Sequence, residues 1–352
     1  MLVFLQKRFN QSMGPLKLSL SDTNVFKGIA ILMLLCHHSL GGWHPIDDIL
    51  IRGNGLVTTF AGFCRSCVAI FVFLSGYGLA TVANKQGGVG NLWKFYRRRY
   101  VKLMMNYWLI WVIFVPIGVF LIGRSFQDVY GTNIVVKAIL DFFGVFYLVT
   151  GNMQGYNATW WFYSCIIVLY ALFPLFYKYR NFWLFIIPIT IVIAFIAPKV
   201  PVIQTCGSYL LVFFCGISLT EINLPPRHFT IIHKSLCFVA FMIICFYRLF
   251  VGDASLWDAA IVCTGVALYK MFVLPNFATR SLEFMGKHSF NIFLFHTFFH
   301  YYYFTNFIYW SSNPLLIWLT LLGVSILVSI LIEKFKDLIK FNRLQSFLIG
   351  SN

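Results

Sequence analysis

Phe26-Lys27-Gly28-Ile29-Ala30-Ile31-Leu32-Met33-Leu34-Leu35-Cys36-His37-His38-Ser39 decides how the rest of the chain is read. The stretch is apolar enough for a helix in lipid, yet it has a cation at one end and two histidines part-way along. Lys27 and His38 are eleven positions apart, which at 100° per residue is three turns plus about 20°. Their side chains share one helix face, about 16 Å apart along the axis. That is about half the hydrocarbon thickness of a bilayer. An ionisable side chain at such depth is expensive, and marks a functional site by default. His37 points about 100° away from this face and is expected at most to orient His38.

The composition agrees with a membrane setting. The chain has 352 residues, 60% hydrophobic and only 11% charged, whereas a soluble domain carries about 25% charged residues. An all-α polytopic membrane protein is predicted. The net charge of +16 does not point to nucleic acid, because the cations sit in short clusters between apolar runs, as loop cations beside spans do. No cleavable signal peptide is expected: Met1–Leu5 is too short for an h-region, and no small-residue cleavage site follows the first apolar run. Nine cysteines, mostly within apolar runs, do not make a disulfide framework. Cys64-Arg65-Ser66-Cys67 has no strand–helix context and reads as incidental.

Apolar runs of spanning length fall near 25–43, 65–84, 101–122, 159–177, 181–198, 203–220, 231–250, 256–275, 288–310 and 313–332. A shorter run at 134–150 carries Lys137 and Asp141. Its crossing or not crossing sets the sidedness of everything after it, and the excess of cations on cytoplasmic loops can arbitrate. If it does not cross and the N-terminus is inside, only Arg52, Arg65, Arg124, Lys137, Lys199 and Arg248 lie outside, leaving 21 of the 27 Lys and Arg on the cytoplasmic side. If it crosses, the count becomes 12 inside and 15 outside. About ten transmembrane helices with both termini cytoplasmic are therefore expected, with 134–150 re-entrant or interfacial. The chain reads as a single transmembrane domain over 1–352, a helical core at 25–332 and a cytoplasmic tail at 333–352. The loops at 44–64 and 123–158 are the extracytoplasmic connections long enough to shape a binding surface. The first carries Asp47 and Asp48; the second ends in Gly151-Asn152-Met153-Gln154-Gly155-Tyr156-Asn157, an uncharged polar and aromatic composition that suits sugar hydroxyls. Asn157, Trp160 and Trp161 are the expected acceptor-binding residues.

On this topology His38, Ser75 and His296 are expected at similar depth on three helices: eleven residues in from Lys27, ten from Arg65 and from Lys85, and nine from Lys287. The cluster Tyr96-Arg97-Arg98-Arg99-Tyr100-Val101-Lys102 opens the third run from the inside. Part of it serves orientation and lipid headgroups; Arg97, Arg98, Arg99 and Lys102, with Lys27, also make an anion site for a phosphorylated cytoplasmic donor. His296 and His300, at i and i+4, are half of a metal site. The sequence places no Asp, Glu or Cys as a third ligand, so no metal is expected.

These residues resemble the multi-pass membrane acyltransferase-3 family, which O-acylates cell-surface polysaccharides in bacteria. The family's first-span pattern of Arg, ten residues and His corresponds to Lys27 and His38. Phe73-Leu74-Ser75-Gly76-Tyr77 is similar to the second-span motif, and Arg99 with Lys102 to the Arg-x-x-Arg that opens the third. Trp161, Tyr170 and Pro174 match the tryptophan-to-proline span, and Gly286-Lys287-His288-Ser289 followed by His296 resembles the Gly-Lys-x-Ser…His pattern. Lys stands for Arg at positions 27 and 102. Ile166 stands where peptidoglycan-type members have Glu, which points away from that subtype. No SGNH-type esterase domain is expected after the last span.

The resemblance implies a membrane-bound O-acyltransferase of the bacterial cytoplasmic membrane. It would move acetyl from cytoplasmic acetyl-CoA to a hydroxyl of a surface or lipid-linked glycan. His38 would be the base, with Ser75, Tyr77 or His296 as donors to the oxyanion; a covalent acyl-His or acyl-Ser intermediate is the competing route. A transporter or flippase for a lipid-linked sugar or small solute is the alternative class. Against it, the spans show no inverted repeat and no membrane-embedded acid for ion coupling.

Overall fold

The computed structural model describes residues 17–41, 55–196, 201–221, 229–251 and 255–350; Asp47 and Asp48 lie outside them. Among these residues every regular element is helical: α1 (Leu20–Leu40), α2 (Gly55–Cys64), α3 (Cys67–Lys85), α4 (Leu92–Ile117), α5 (Phe126–Tyr130), α6 (Ile134–Phe142), α7 (Phe146–Thr150), α8 (Trp161–Lys178), α9 (Trp183–Ile196), α10 (Pro201–Ser208), α11 (Leu210–Leu219), α12 (Ile231–Val251), α13 (Ser255–Met271), α14 (Asn276–Thr297), α15 (Thr305–Ile308), α16 (Pro314–Leu338) and α17 (Phe341–Ile349). Six stretches are long and apolar enough to cross a bilayer: Leu20–Leu40, Gly55–Lys85, Leu92–Ile122, Ala158–Lys178, Ile231–Phe250 and Pro314–Leu338.

The remaining apolar runs give shorter or more polar helices, for reasons visible in their residues. α9 has 14 residues around an interior Pro188. The run at 203–220 is divided between α10 and α11 at Tyr209. α13 has 17 residues, and α14 carries Arg280, Glu283 and Lys287 within its first twelve residues. The run at 134–150 forms α6, nine residues long, then a turn and the five-residue α7. Nine residues rise about 14 Å, too little to cross. All nine cysteines carry free thiols, Cys64 and Cys67 included.

What positions the site is the packing of α1 on α14. A Cβ on Gly28 would lie 2.1 Å from the Leu282 carbonyl oxygen, and one on Gly286 would lie 1.9 Å from that of Asn24. Only glycine lets the two backbones approach so closely, as small residues do in membrane helix interfaces. Each Cβ vector leans toward its own N-terminus and meets the residue four before the opposite glycine, so the helices run parallel with Gly28 beside Gly286. His38 and His296 each lie ten residues beyond that glycine, and one register brings both to the same level. Gly76 on α3 and Gly216 on α11 repeat the device, their Cβ positions falling 2.3 Å from Phe213 O and 2.1 Å from Phe73 O.

The start of α1 is fixed by a capping box, with Ser19 accepting from Asp22 N (3.1 Å) and Asp22 from Ser19 N (2.7 Å). Lys270 and Tyr269 then tie Asp22 to α13 at 2.6 and 2.9 Å. At the opposite end, the segment between α4 and α8 is pinned through Asp141. Its buried carboxylate accepts from Tyr130 Oη (2.6 Å) and Tyr156 N (2.7 Å), while Tyr107 Oη donates to its main-chain carbonyl (2.5 Å). Arg124 lies over the ring of Tyr302 (3.6 Å) and donates to the Tyr156 carbonyl (2.7 Å).

Candidate functional site

The α1–α14 register collects half of the chain's eight histidines in one cluster. The His38 ring centre is 5.0 Å from those of His37 and His296 and 5.8 Å from that of His300. His296 and His300 stack with centres 5.7 Å apart. His37, His296 and His300 are buried and His38 is half-buried, so His38 is the member most open to a ligand. His300 joins as the residue one turn beyond His296, inside a π-helical turn at Phe298–Tyr303, a rare conformation that is frequent at functional sites.

Hydrogen bonds settle the tautomers of two rings. His296 Nδ1–H donates to the carbonyls of Ile292 (2.9 Å) and Phe293 (3.0 Å), so a neutral His296 presents the Nε2 lone pair. His37 Nδ1–H likewise donates to Ala61 O (2.8 Å). One potential ligand nitrogen from each of His38, His296 and His300 lies within 4.8 Å of the other two. The third imidazole that the sequence did not supply for His296 and His300 is His38 itself.

Toward the Lys27 end of α1 from this cluster is a cavity of about 580 Å³. Lys27, Arg99, Lys102 and Lys287 line it from three helices, with Asn24, Ser75 and Ser289; Phe71, Phe162, Ile166 and Phe293 make its apolar walls. Among the described residues no carboxylate lines this cavity and none pairs with any of the four cations. Arg99 Nε is buried without a hydrogen-bond partner. Phe293, on the wall, lies three residues before His296. A second, apolar cavity of about 350 Å³ shares Arg99, Leu103 and Tyr170 with the first and is otherwise lined by Trp93, Tyr96, Arg97, Tyr100, Val101, Ile167 and Ala171.

The residues singled out from the sequence therefore fall in several places. His38 and His296 are in the cluster. Lys27, Arg99, Lys102 and Ser75 are on the cationic cavity, which Tyr170 also lines. Arg97 points elsewhere: its guanidinium donates to Leu348 O at 3.1 and 3.0 Å and closes the C-terminus of α17. Arg98 is half-buried, with its Nε lacking a partner. Tyr77 donates to Leu18 O (2.9 Å) and accepts from Leu18 N (2.8 Å), tying α3 to the residues before α1 rather than facing His38.

Asn157 and Trp160 are buried, and both donate to Leu294 O, at 3.4 and 2.9 Å. Thr159 Oγ1 donates to Asn157 Oδ1 (2.7 Å), Thr297 Oγ1 to Thr159 Oγ1 (3.3 Å), and Thr297 Oγ1 lies 3.3 Å from His296 Nε2. The stretch 157–160 thus braces α14 beside the histidines. Trp161 is half-buried and stacks on Tyr209.

A buried histidine cluster above a cation-lined cavity, both inside a bundle of apolar helices, defines a polytopic membrane protein with an intramembrane site. A family model described as an acyltransferase domain matches residues 21–334. The chain belongs to the acyltransferase-3 family and is a membrane acyltransferase by that membership. Neither a curated protein nor a solved structure matches it.

Proposed function

We propose that this protein is an O-acyltransferase that moves an acetyl group from cytoplasmic acetyl-CoA to a hydroxyl of a cell-surface or lipid-linked glycan. It would act as a single domain in a bacterial cytoplasmic membrane, with ten spans and both termini in the cytoplasm. The observation that carries this reading is the set of four cations without a carboxylate, on a cavity whose two principal helices continue to the histidine cluster. Such a set suits the phosphates of a nucleotide-type donor, through charge-assisted hydrogen bonds. The apolar walls of Phe71, Phe162, Ile166 and Phe293 suit an acyl-bearing arm extending toward His38.

In this reading His38, backed by the inward lone pair of His296, takes the proton from the acceptor hydroxyl. The oxygen attacks the thioester carbonyl, the carbon–sulfur bond breaks, and the imidazolium returns its proton to the departing thiolate. Because the His296 N–H is committed to backbone carbonyls, its part is to orient His38 rather than to donate to the oxyanion.

Purified protein in nanodiscs with labelled acetyl-CoA and a glycan acceptor tests the proposal. The wild type should transfer label, and His38→Ala should lower the rate by about 10²- to 10⁴-fold, the usual contribution of a general base, at unchanged abundance. Transfer by His38→Ala at the wild-type rate would sink the central role of His38.

A further inference from the structure

The three-imidazole cluster has a property that acyl transfer does not require. We propose that His38, His296 and His300 form a binding site for a divalent transition-metal ion of the zinc type. We further propose that its occupancy silences the transfer reaction; that second half rests on the function proposed above.

Imidazole suits zinc, copper and nickel, and three histidines with an open fourth position make a common zinc donor set. Nitrogens on a tetrahedral zinc lie about 3.4 Å apart, given Zn–N distances of about 2.0–2.1 Å. The three ligand atoms are already within 4.8 Å of one another, so the widest pair needs to close by no more than about 1.4 Å. Side-chain rotation of the half-buried His38 can supply that.

His296 is held as metal-ligating histidines usually are, its second nitrogen donating to backbone carbonyls and its lone pair turned inward. His300, four residues beyond His296 and inside the π-helical turn Phe298–Tyr303, stacks on His296 and lies beside His38. Thr297 Oγ1 lies 3.3 Å from His296 Nε2 but donates its hydrogen to Thr159 Oγ1, so it does not claim the Nε2 lone pair. A metal on His38 occupies the lone pair with which that ring would accept a proton, so binding and base catalysis exclude each other.

The test uses the whole chain in nanodiscs, stripped with chelator and without acyl donor. Titration with Zn²⁺ by calorimetry should give one site per chain, and Co²⁺ should develop visible absorption that Zn²⁺ abolishes. Cu²⁺ bound to the wild type should show equatorial nitrogen couplings in its paramagnetic resonance spectrum, which requires no variant. H300Q should weaken Zn²⁺ binding by at least the 10- to 100-fold that loss of a mere supporting contact costs. H233Q, at an exposed histidine bonded to Thr230, should leave it unchanged.

A wild type with no stoichiometric site, Cu²⁺ without nitrogen couplings, or H300Q binding as tightly as wild type would overturn the site. In the transfer assay Zn²⁺ should lower the wild-type rate more than that of H300Q. Equal rates with and without Zn²⁺ in the wild type would overturn the silencing alone. Absence of any transfer would count against the proposed function and leave the binding measurements to decide the site.

Discussion

At the scale of single residues, Arg99 carries the sharpest expectation about the donor. Its guanidinium faces both cavities, and its buried Nε has no partner among the described residues. A donor phosphate would supply that partner, and charge-assisted hydrogen bonds of this kind contribute about 1.5–3 kcal/mol. Arg99→Ala should therefore raise the KM for acetyl-CoA by about 10- to 150-fold with a smaller change in kcat. Arg99→Lys should recover only part, because the planar fork is lost. An unchanged KM in Arg99→Ala would remove Arg99 from the donor site. Lys27, His38 and His296 were legible in the sequence because ionisable groups are rare in apolar runs, and Arg99 because it belongs to a cation cluster at the mouth of one. The place of His300 against His38 was not, since it depends on how α1 faces the end of α14. The different settings of Ser75, on the cavity, and of Tyr77, bound to Leu18, also depend on which neighbours α3 meets, which no spacing along α3 encodes.

At the scale of elements, the site depends on one helix crossing. Gly28 and Gly286 bring α1 and α14 into backbone contact, and everything functional on both helices follows from that register. A methyl group on Gly286 would fall 1.9 Å from the Asn24 carbonyl oxygen, so Gly286→Ala should force the helices apart. Overpacking of this kind costs about 1–3 kcal/mol. The expected result is a lower midpoint in thermal unfolding of the detergent-solubilised protein, together with lost transfer. Gly323→Ala on α16, whose new Cβ meets nothing within 4 Å, should behave as wild type. Equal midpoints for the two variants would refute the close crossing. The helices themselves were readable from apolar runs, whereas the pairing of Gly28 with Gly286 is a tertiary fact between residues far apart in the chain. The shortness of α9 and the division of the run at 203–220 into α10 and α11 were not readable, because hydropathy does not register a proline or a turn inside an apolar run.

At the scale of the whole molecule, the relative sidedness of the site follows from contacts at the two ends of α4 and α8. Tyr96 Oη donates to Ala171 O (3.0 Å), and Tyr177 Oη to Asn84 Oδ1 (2.6 Å). Residues 84, 96 and 177 therefore share one end of the bundle. Tyr156 Oη donates to Arg124 O (3.0 Å), which puts 124 and 156 together at the other. Between them α6 is too short to cross, so the Asp141-pinned segment returns to the end from which it left. The cation cluster Lys94–Lys102 and Lys178 lie at the first end, the one proposed to be cytoplasmic. In intact cells a membrane-impermeant maleimide should label Met153→Cys, an exposed position in the pinned segment, and should spare Lys94→Cys until the cells are permeabilised. The wild-type chain supplies the background from its own thiols. Labelling of Lys94→Cys before permeabilisation, with Met153→Cys protected, would invert the protein in the membrane. The cationic cavity would then open to the outside, and a cytoplasmic donor could not reach it. Sidedness and donor chemistry thus stand or fall on the same measurement, made without any assay of activity.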